Sequence, residues 1–478
     1  MDAKKQPLDI IILNRNIRLE DNAALYYGSL RQNYLILYVF DETYWTSNGR
    51  SPRQARFLFD CLEELNQRLL KYNSCIYVFD GSYDALTVWI ESYCSEAAVH
   101  LNHLTDTEYL SQQLKKFKDH HSERRELKIY RDFGIQVDNV DRDTWSKDWR
   151  KLMNSPLLPT PKVSRVKNSC SLLRFSSFHP RIFSKHQTYE TFQRGGSTEA
   201  MNLLETFLTE RCRDYQTSIS SPRTAEYSCS RLSPHITYGS ISLRSIYQKA
   251  TWQVQTSPNK KDLQSFIKRL YWHCHFIQKL ETEPRIEYRS MHSMCDDLRP
   301  DIDSELIERW FAGETGFPFL DACMKFLRRS GWINFRMRAM IMSFASYNLW
   351  QPWQATSPML AQLFVDYEPG IHICQVQMQS GVTGINLPRI YSVTKQSRDQ
   401  DPNADWIKKI LPELRSFAPS EIHRADLNGK YPAKIVDLEE TGKIARDRIW
   451  SMRKDSEFKK IARSVYLLHG SRKTARRY

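Results

Sequence analysis

The sequence predicts an α/β domain built on a parallel sheet, followed by an all-helical domain. Three observations lead there. Short β-branched and aromatic runs alternate with helical-period segments through the first third of the chain. Periodicity then lapses over residues 156–197, and beyond them strand signals fade while helical periodicity persists to the end. At 478 residues the chain also exceeds what one hydrophobic core supports, which favours two domains.

The strands are expected at Asp9–Leu13, Tyr34–Phe40, Ser74–Phe79, Ala97–Leu101 and Gly134–Val140, separated by helical segments such as Arg53–Leu70. Such alternation implies βαβ units and a Rossmann-like parallel sheet over residues 1–155. The segment 156–197 carries SPLLPTPKVS and the turn QRGGS and reads as an interdomain connection. Residues 198–478 form the helical domain, with helices expected at Ala200–Arg211, Lys261–Glu281, Ser304–Ala312 and Phe319–Ser330.

Composition excludes several classes. No stretch approaches the ~20 apolar residues of a membrane span, and the apolar run Ile10–Leu13 is too short for a signal peptide, so a cytoplasmic monomer is expected. The ten cysteines include no CxxC pair and none follows Cys374, which argues against a disulfide framework and against a zinc or iron–sulfur site. The net charge of +14 fits either a polyanionic partner or a solvated basic surface. The segment Thr441–Tyr478 concentrates it, with twelve Lys/Arg against three Asp/Glu.

Three segments carry chemistry. SRLSPHITYG at Ser230–Gly239 sets hydroxyls and backbone amides ahead of a helix expected at Ile241–Lys249, the arrangement of a diphosphate cradle. GETGFPFLDACM at Gly313–Met324 and GWINFRMRAM at Gly331–Met340 put a sharp turn before Asp321, Arg336 and Arg338. DYEPGIHICQVQMQ at Asp366–Gln379 brings two carboxylates close to a histidine, and PRIYSVTKQSRDQDP follows. With the opening NRNIRLEDNAAL and SPRQARF, these ordered pieces resemble the photolyase/cryptochrome family.

That resemblance implies an FAD-binding helical domain, held by Tyr215, by a phosphate loop of Cys229, Ser230, Arg231, Leu232 and Ser233, and by the ion pair Arg338–Asp366 beside the flavin. Glu368 takes the place of a second aspartate at the flavin's polar edge. His372 stands where relatives carry asparagine, aspartate or cysteine facing flavin N5, from which it would donate or exchange a proton. Trp272 matches the tryptophan that stacks on a flipped pyrimidine dimer. Arg269, Phe335 and Met378 replace the glutamate, asparagine and second tryptophan of that pocket, and His273 adds a titratable group. His273 and His275, two apart on a helix, cannot both face the lesion.

Eight of the twelve tryptophans lie after residue 250, and for any one of them core packing competes with a role in stacking or electron relay. Trp353 keeps a position of the family's photoreduction chain. Val376 replaces its flavin-proximal member, leaving Trp332, Trp350 or Tyr347 as alternative carriers. An antenna chromophore in the N-terminal domain is left open, because LNHLTDTEYL lacks the family's folate-contacting glutamate. The resemblance thus implies light-driven repair of cyclobutane pyrimidine dimers in UV-damaged DNA. The competing readings are a signalling cryptochrome and repair of the (6-4) photoproduct.

Overall fold

The computed structural model describes residues 8–31, 33–47, 49–94, 96–163, 172–183, 193–427 and 429–471. Parts of the expected connection and the end of the basic C-terminal segment lie outside them. Five parallel strands form the N-terminal sheet: β1 Asp9–Leu13, β2 Tyr34–Phe40, β3 Ile76–Asp80, β4 Ala98–Asn102 and β5 Leu127–Tyr130. Their order is β5-β4-β1-β2-β3, with a two-residue β6, Leu173–Arg174, antiparallel to β3 at the edge. The runs DIIIL and YLILYVF are buried at every position, as strands covered by helices on both faces must be. Asp9 pairs in register with Tyr34 on one side and Ala98 on the other, which puts the loops after β1 and β4 side by side.

One expected strand needs correction. The fifth strand is Leu127–Tyr130, and Gly134–Val140 is irregular. The backbone of that segment bonds to a side chain: the Gln136 amide donates to Gln278 Oε1 at 2.6 Å, and Gln278 Nε2 donates back to the Gln136 carbonyl at 2.9 Å. The real strand escapes notice because it lies at the edge, with Lys128 and Ile129 exposed and charged neighbours on both sides.

Packing also interleaves the expected segments. Phe175, Phe178 and Phe183 of the connection pack onto Phe59 of the Pro52–Leu70 helix, within the α/β core. Conversely Trp145, Trp149 and Met153, which precede the connection, join the core formed by Phe207, Phe266 and Leu270 of the helical region. From Ser197 onward the described residues form helices and turns. A second helical core gathers around Trp310, Phe319, Met340 and Trp406. The nine described cysteines are free, and no group of His, Cys, Asp and Glu among the described residues could hold a metal ion. No described helix is long and apolar enough to cross a membrane.

Candidate cofactor and lesion site

Two helices supply facing walls of a cavity of about 340 Å³. Lys260–Thr282 presents Arg269, Trp272, His273 and Phe276, and Pro369–Ser380 presents His372, Gln375, Val376 and Gln379. Both sets follow i, i+3, i+4, i+7, one face of an α-helix in each case. The helices meet closely at Gly370, where a Cβ would lie 2.7 Å from the Ile277 Cα.

The remaining walls come from loops and helix starts. Cys229, Ser230 and Arg231 line the cavity ahead of the Ser233–Tyr238 helix, with Arg231 held at φ 61°. This corrects the expected Ile241–Lys249 helix as the partner of the loop: SPHITY is itself helical, and the next helix spans Leu243–Thr256. Trp332, Ile333, Asn334, Phe335 and Arg338 come from the start of the Phe335–Ser343 helix, and Tyr215 from the Tyr215–Ser218 turn. Phe335 is 49% exposed and stands at the rim, 6.0 Å from the Arg269 guanidinium.

The polar groups of the cavity divide into satisfied and unsatisfied ones. Arg338 grips Asp366 with both terminal nitrogens, at 3.0 and 2.9 Å, while its Nε donates to the Ile333 carbonyl at 2.7 Å. Such a bidentate fork fixes both side chains. Arg231 has no ion pair among the described residues. Its guanidinium lies 3.8 Å from the Trp332 ring centroid, and burial pulls its pKa down to about 10. The Oε1 of Glu368, the Oδ1 of Asn334, the Oε1 of Gln375 and the Nε2 of His273 are buried without a partner. A buried unpaired polar group costs about 1–3 kcal/mol, so four of them around one cavity indicate a ligand that supplies the missing bonds.

His372 is neutral here, its pKa held down to about 4 by burial. Its Nε2 lies 3.0 Å from the Ser357 carbonyl, which can only accept, so Nε2 carries the proton and Nδ1 is the acceptor. His273 is likewise pushed down to about 3 by burial, with its ring 5.1 Å from that of Phe133. Trp272 is held by edge-to-face contact with His275 at 4.9 Å and by Phe276 at 5.9 Å.

Several expected residues stand elsewhere. The Leu232 side chain is fully buried in the helical core, which leaves only its backbone for the loop. Met378 is two residues from Val376 on the same helix and does not line the cavity, because that spacing turns it off the wall. His275 also points away, to Arg142, at 2.6 Å. Trp353 lies in the core that contains Val376, its indole donating to Ser290 Oγ at 3.3 Å. Trp350 is clasped by the guanidiniums of Arg299 at 4.5 Å and Arg448 at 4.8 Å, away from the cavity. Sequence reasoning missed Asn334, Gln375 and Gln379. The i, i+3, i+4, i+7 pattern through His372 would have found the two glutamines.

Residues 266–451, which span most of the cavity, match the family model "FAD binding domain of DNA photolyase", and residues 10–124 match "DNA photolyase". Together the two matches cover more than half of the chain. The chain belongs to the photolyase/cryptochrome family. A Cryptochrome-2 of Gallus gallus is 23% identical over 91% of this chain and 81% of its own length. A deoxyribodipyrimidine photo-lyase of Vibrio cholerae is 23% identical over 90% of this chain and 96% of its own. Among solved structures, an archaeal photolyase from Sulfolobus tokodaii with two FAD molecules superposes with a TM-score of 0.78 at 24% identity, covering 93% of this chain and all of that one. A class III photolyase from Agrobacterium tumefaciens gives 0.79 at 20% identity, covering 95% and 99%. These two likenesses show that the photolyase fold is shared.

The cofactor of this photolyase/cryptochrome domain is FAD, and the cavity fits it. Arg231 offers an uncompensated cation for a diphosphate, the aromatic walls offer stacking surface, and the orphaned oxygens offer acceptors to N–H and O–H groups.

Proposed function

We propose that this chain repairs cyclobutane pyrimidine dimers in UV-damaged DNA, as a light-driven deoxyribodipyrimidine photolyase working as a monomer in the cytoplasm. The observation that carries the reading is that Trp272 and Phe335 open the same cavity that the Arg338–Asp366 fork closes. A base turned out of a duplex thus reaches an aromatic platform next to the cofactor residues. Bound there in its reduced form, FAD would supply the light-driven one-electron chemistry that dimer cleavage needs, with no net redox change.

The chain's own groups hold and orient. Tyr215, Cys229, Ser230, Ser233 and the Leu232 backbone cradle the cofactor, and Arg231 faces its diphosphate. Arg338 and Asp366 fix its edge, and His372 presents Nδ1 as an acceptor there. Exposed Arg269 faces phosphate at the mouth and, together with the other basic side chains of a chain of net charge +14, makes binding of damaged DNA weaken with salt. For electron relay the tryptophans are unequal. A guanidinium over the face of Trp332, and two against Trp350, disfavour a positive charge on those rings, whereas none among the described residues stands over Trp353.

A signalling cryptochrome is the second reading, favoured by Arg269 and Phe335 in place of the usual polar lesion contacts and by the departure of Met378 from the cavity. Illumination of the FAD-loaded, reduced protein with irradiated oligothymidine separates the two. Light-dependent loss of dimers is expected. Unchanged dimers would favour signalling, and loss confined to a (6-4) substrate assayed in parallel would reassign the lesion.

A further inference from the structure

The loop after β1 touches two walls of the cavity from the α/β domain. Arg15 forks across the domains, with one terminal nitrogen on Asp106, in the loop after β4, and the other on Glu368, just ahead of the Pro369–Ser380 helix. Asp106 is held in turn by Arg50 at 2.6 Å, by the Tyr44 hydroxyl at 3.0 Å and by the Thr107 amide at 2.7 Å. The same loop abuts the helix behind the phosphate loop. A Cβ on Gly239, at that helix's C-terminus, would lie 1.8 Å from the Arg15 carbonyl oxygen, and Arg18 donates to the Gly239 carbonyl at 3.0 Å.

Glu368 occupies the N-cap position of its helix, yet its side chain does not cap it. Its carboxylate is drawn instead to Arg15, and both residues are buried. Two arginines and two carboxylates make the network electrically neutral. One acceptor is left over, Glu368 Oε1, buried and without a partner in a residue that lines the cavity. Burial opposes ionisation of Glu368 and of Asp106 alike; Arg50 and Arg15 overcome it at Asp106, whose pKa falls below the usual range, whereas that of Glu368 stays raised against the pull of Arg15.

We propose that Arg15, anchored by Asp106, is a positioning residue of the cofactor cavity: by binding one oxygen of Glu368 it presents the other as a fixed acceptor to an N–H or O–H group of FAD. This rests on the cavity being the FAD site. It gives the α/β domain a part in cofactor binding that requires no chromophore of its own.

The test titrates FAD into apoprotein of the full chain and of Arg15→Gln, Arg15→Lys, Glu368→Ala and the Arg15→Gln/Glu368→Ala double variant, with apoprotein melting followed in parallel. A hydrogen bond to a charged group corresponds to about a tenfold to hundredfold change in Kd, so Arg15→Gln and Glu368→Ala are each expected to weaken FAD by that much. The double variant is expected to be no weaker than the worse single one, because both act on one contact. Arg15→Lys, which keeps the charge but cannot fork, should fall between wild type and Arg15→Gln. Arg15 variants within about threefold of wild type, or losses that add in the double variant, would overturn the proposal. If Arg15→Gln does not fold, Arg15→Lys with and without Glu368→Ala is judged by the same criterion. A wild-type chain that takes up no FAD would overturn the cofactor assignment itself, and this inference with it.

Discussion

The crevice at the C-terminal ends of β1 and β4 and the cavity of the helical domain are lined by the same kinds of residue, buried arginines, carboxylates and aromatics, but they are finished differently. In the crevice the charges answer one another: Arg15 and Arg50 share Asp106, and Arg50 is sandwiched between Tyr44 at 4.3 Å and Tyr367 at 4.8 Å. Space of only about 50 Å³ is left there, beside Trp45 and Tyr44. In the helical cavity Arg231 has no ion pair among the described residues and several buried oxygens have no hydrogen-bond partner. Open α/β sheets bind ligands where neighbouring strands connect in opposite directions. Here that place is filled by the protein's own ion pairs. Little room is left at that crevice, about 50 Å³ against about 340 Å³ in the helical cavity.

The largest test of this contrast removes a satisfied pair from the cavity. Asp366→Ala leaves Arg338 without its carboxylate; truncating one partner of a buried pair costs about 3–5 kcal/mol, and with Arg338 partly exposed to the cavity a loss of about 3 kcal/mol is expected. Denaturation and flavin absorbance on the same preparation measure it, and wild-type stability with full FAD would remove the pair from the site. Next, FAD at a hundredfold excess over Kd should stabilise the apoprotein by about 2.7 kcal/mol, with one flavin per chain. Two flavins per chain would mean that the crevice opens, and the contrast would fail.

Trp272→Ala should cost about 1–3 kcal/mol in binding dimer-containing DNA and leave undamaged DNA and FAD content nearly unchanged. Equal losses for both DNAs, or a fall in stability alone, would make Trp272 a core residue. The smallest effect concerns acid. His372 is neutral in the fold with a pKa of about 4, whereas the unfolded chain takes up a proton near the ordinary value of 6.5. Stability is therefore unaffected well above pH 6.5 and declines as pH falls toward 4, by about 1.4 kcal/mol from this group at pH 5.5. His372→Gln should flatten that part of the urea-denaturation profile. An unchanged acid slope would assign it to the other histidines whose pKa burial lowers, His121, His235, His273, His275, His292 and His469.

By itself the sequence determined the elements whose signals are local. The strands Asp9–Leu13 and Tyr34–Phe40 and the long helix through Trp272 follow from runs and periods that no tertiary contact overrides. The ordered motifs singled out Arg338, Asp366 and the loop 229–233, all at the cavity, for the same reason, since each lies within one short segment. Tertiary structure decided the rest. It made an edge strand of Leu127–Tyr130, whose exposed charged surface carries no strand signal, and it moved Trp145, Trp149 and Met153 into the helical core. It also chose Glu368 as the partner of Arg15 across 353 positions of chain. A charged side chain carries no periodicity that names its partner. Among 69 cations and 55 carboxylates, only the packing of two domains decides which buried pair can meet and which oxygen is left to bind a ligand.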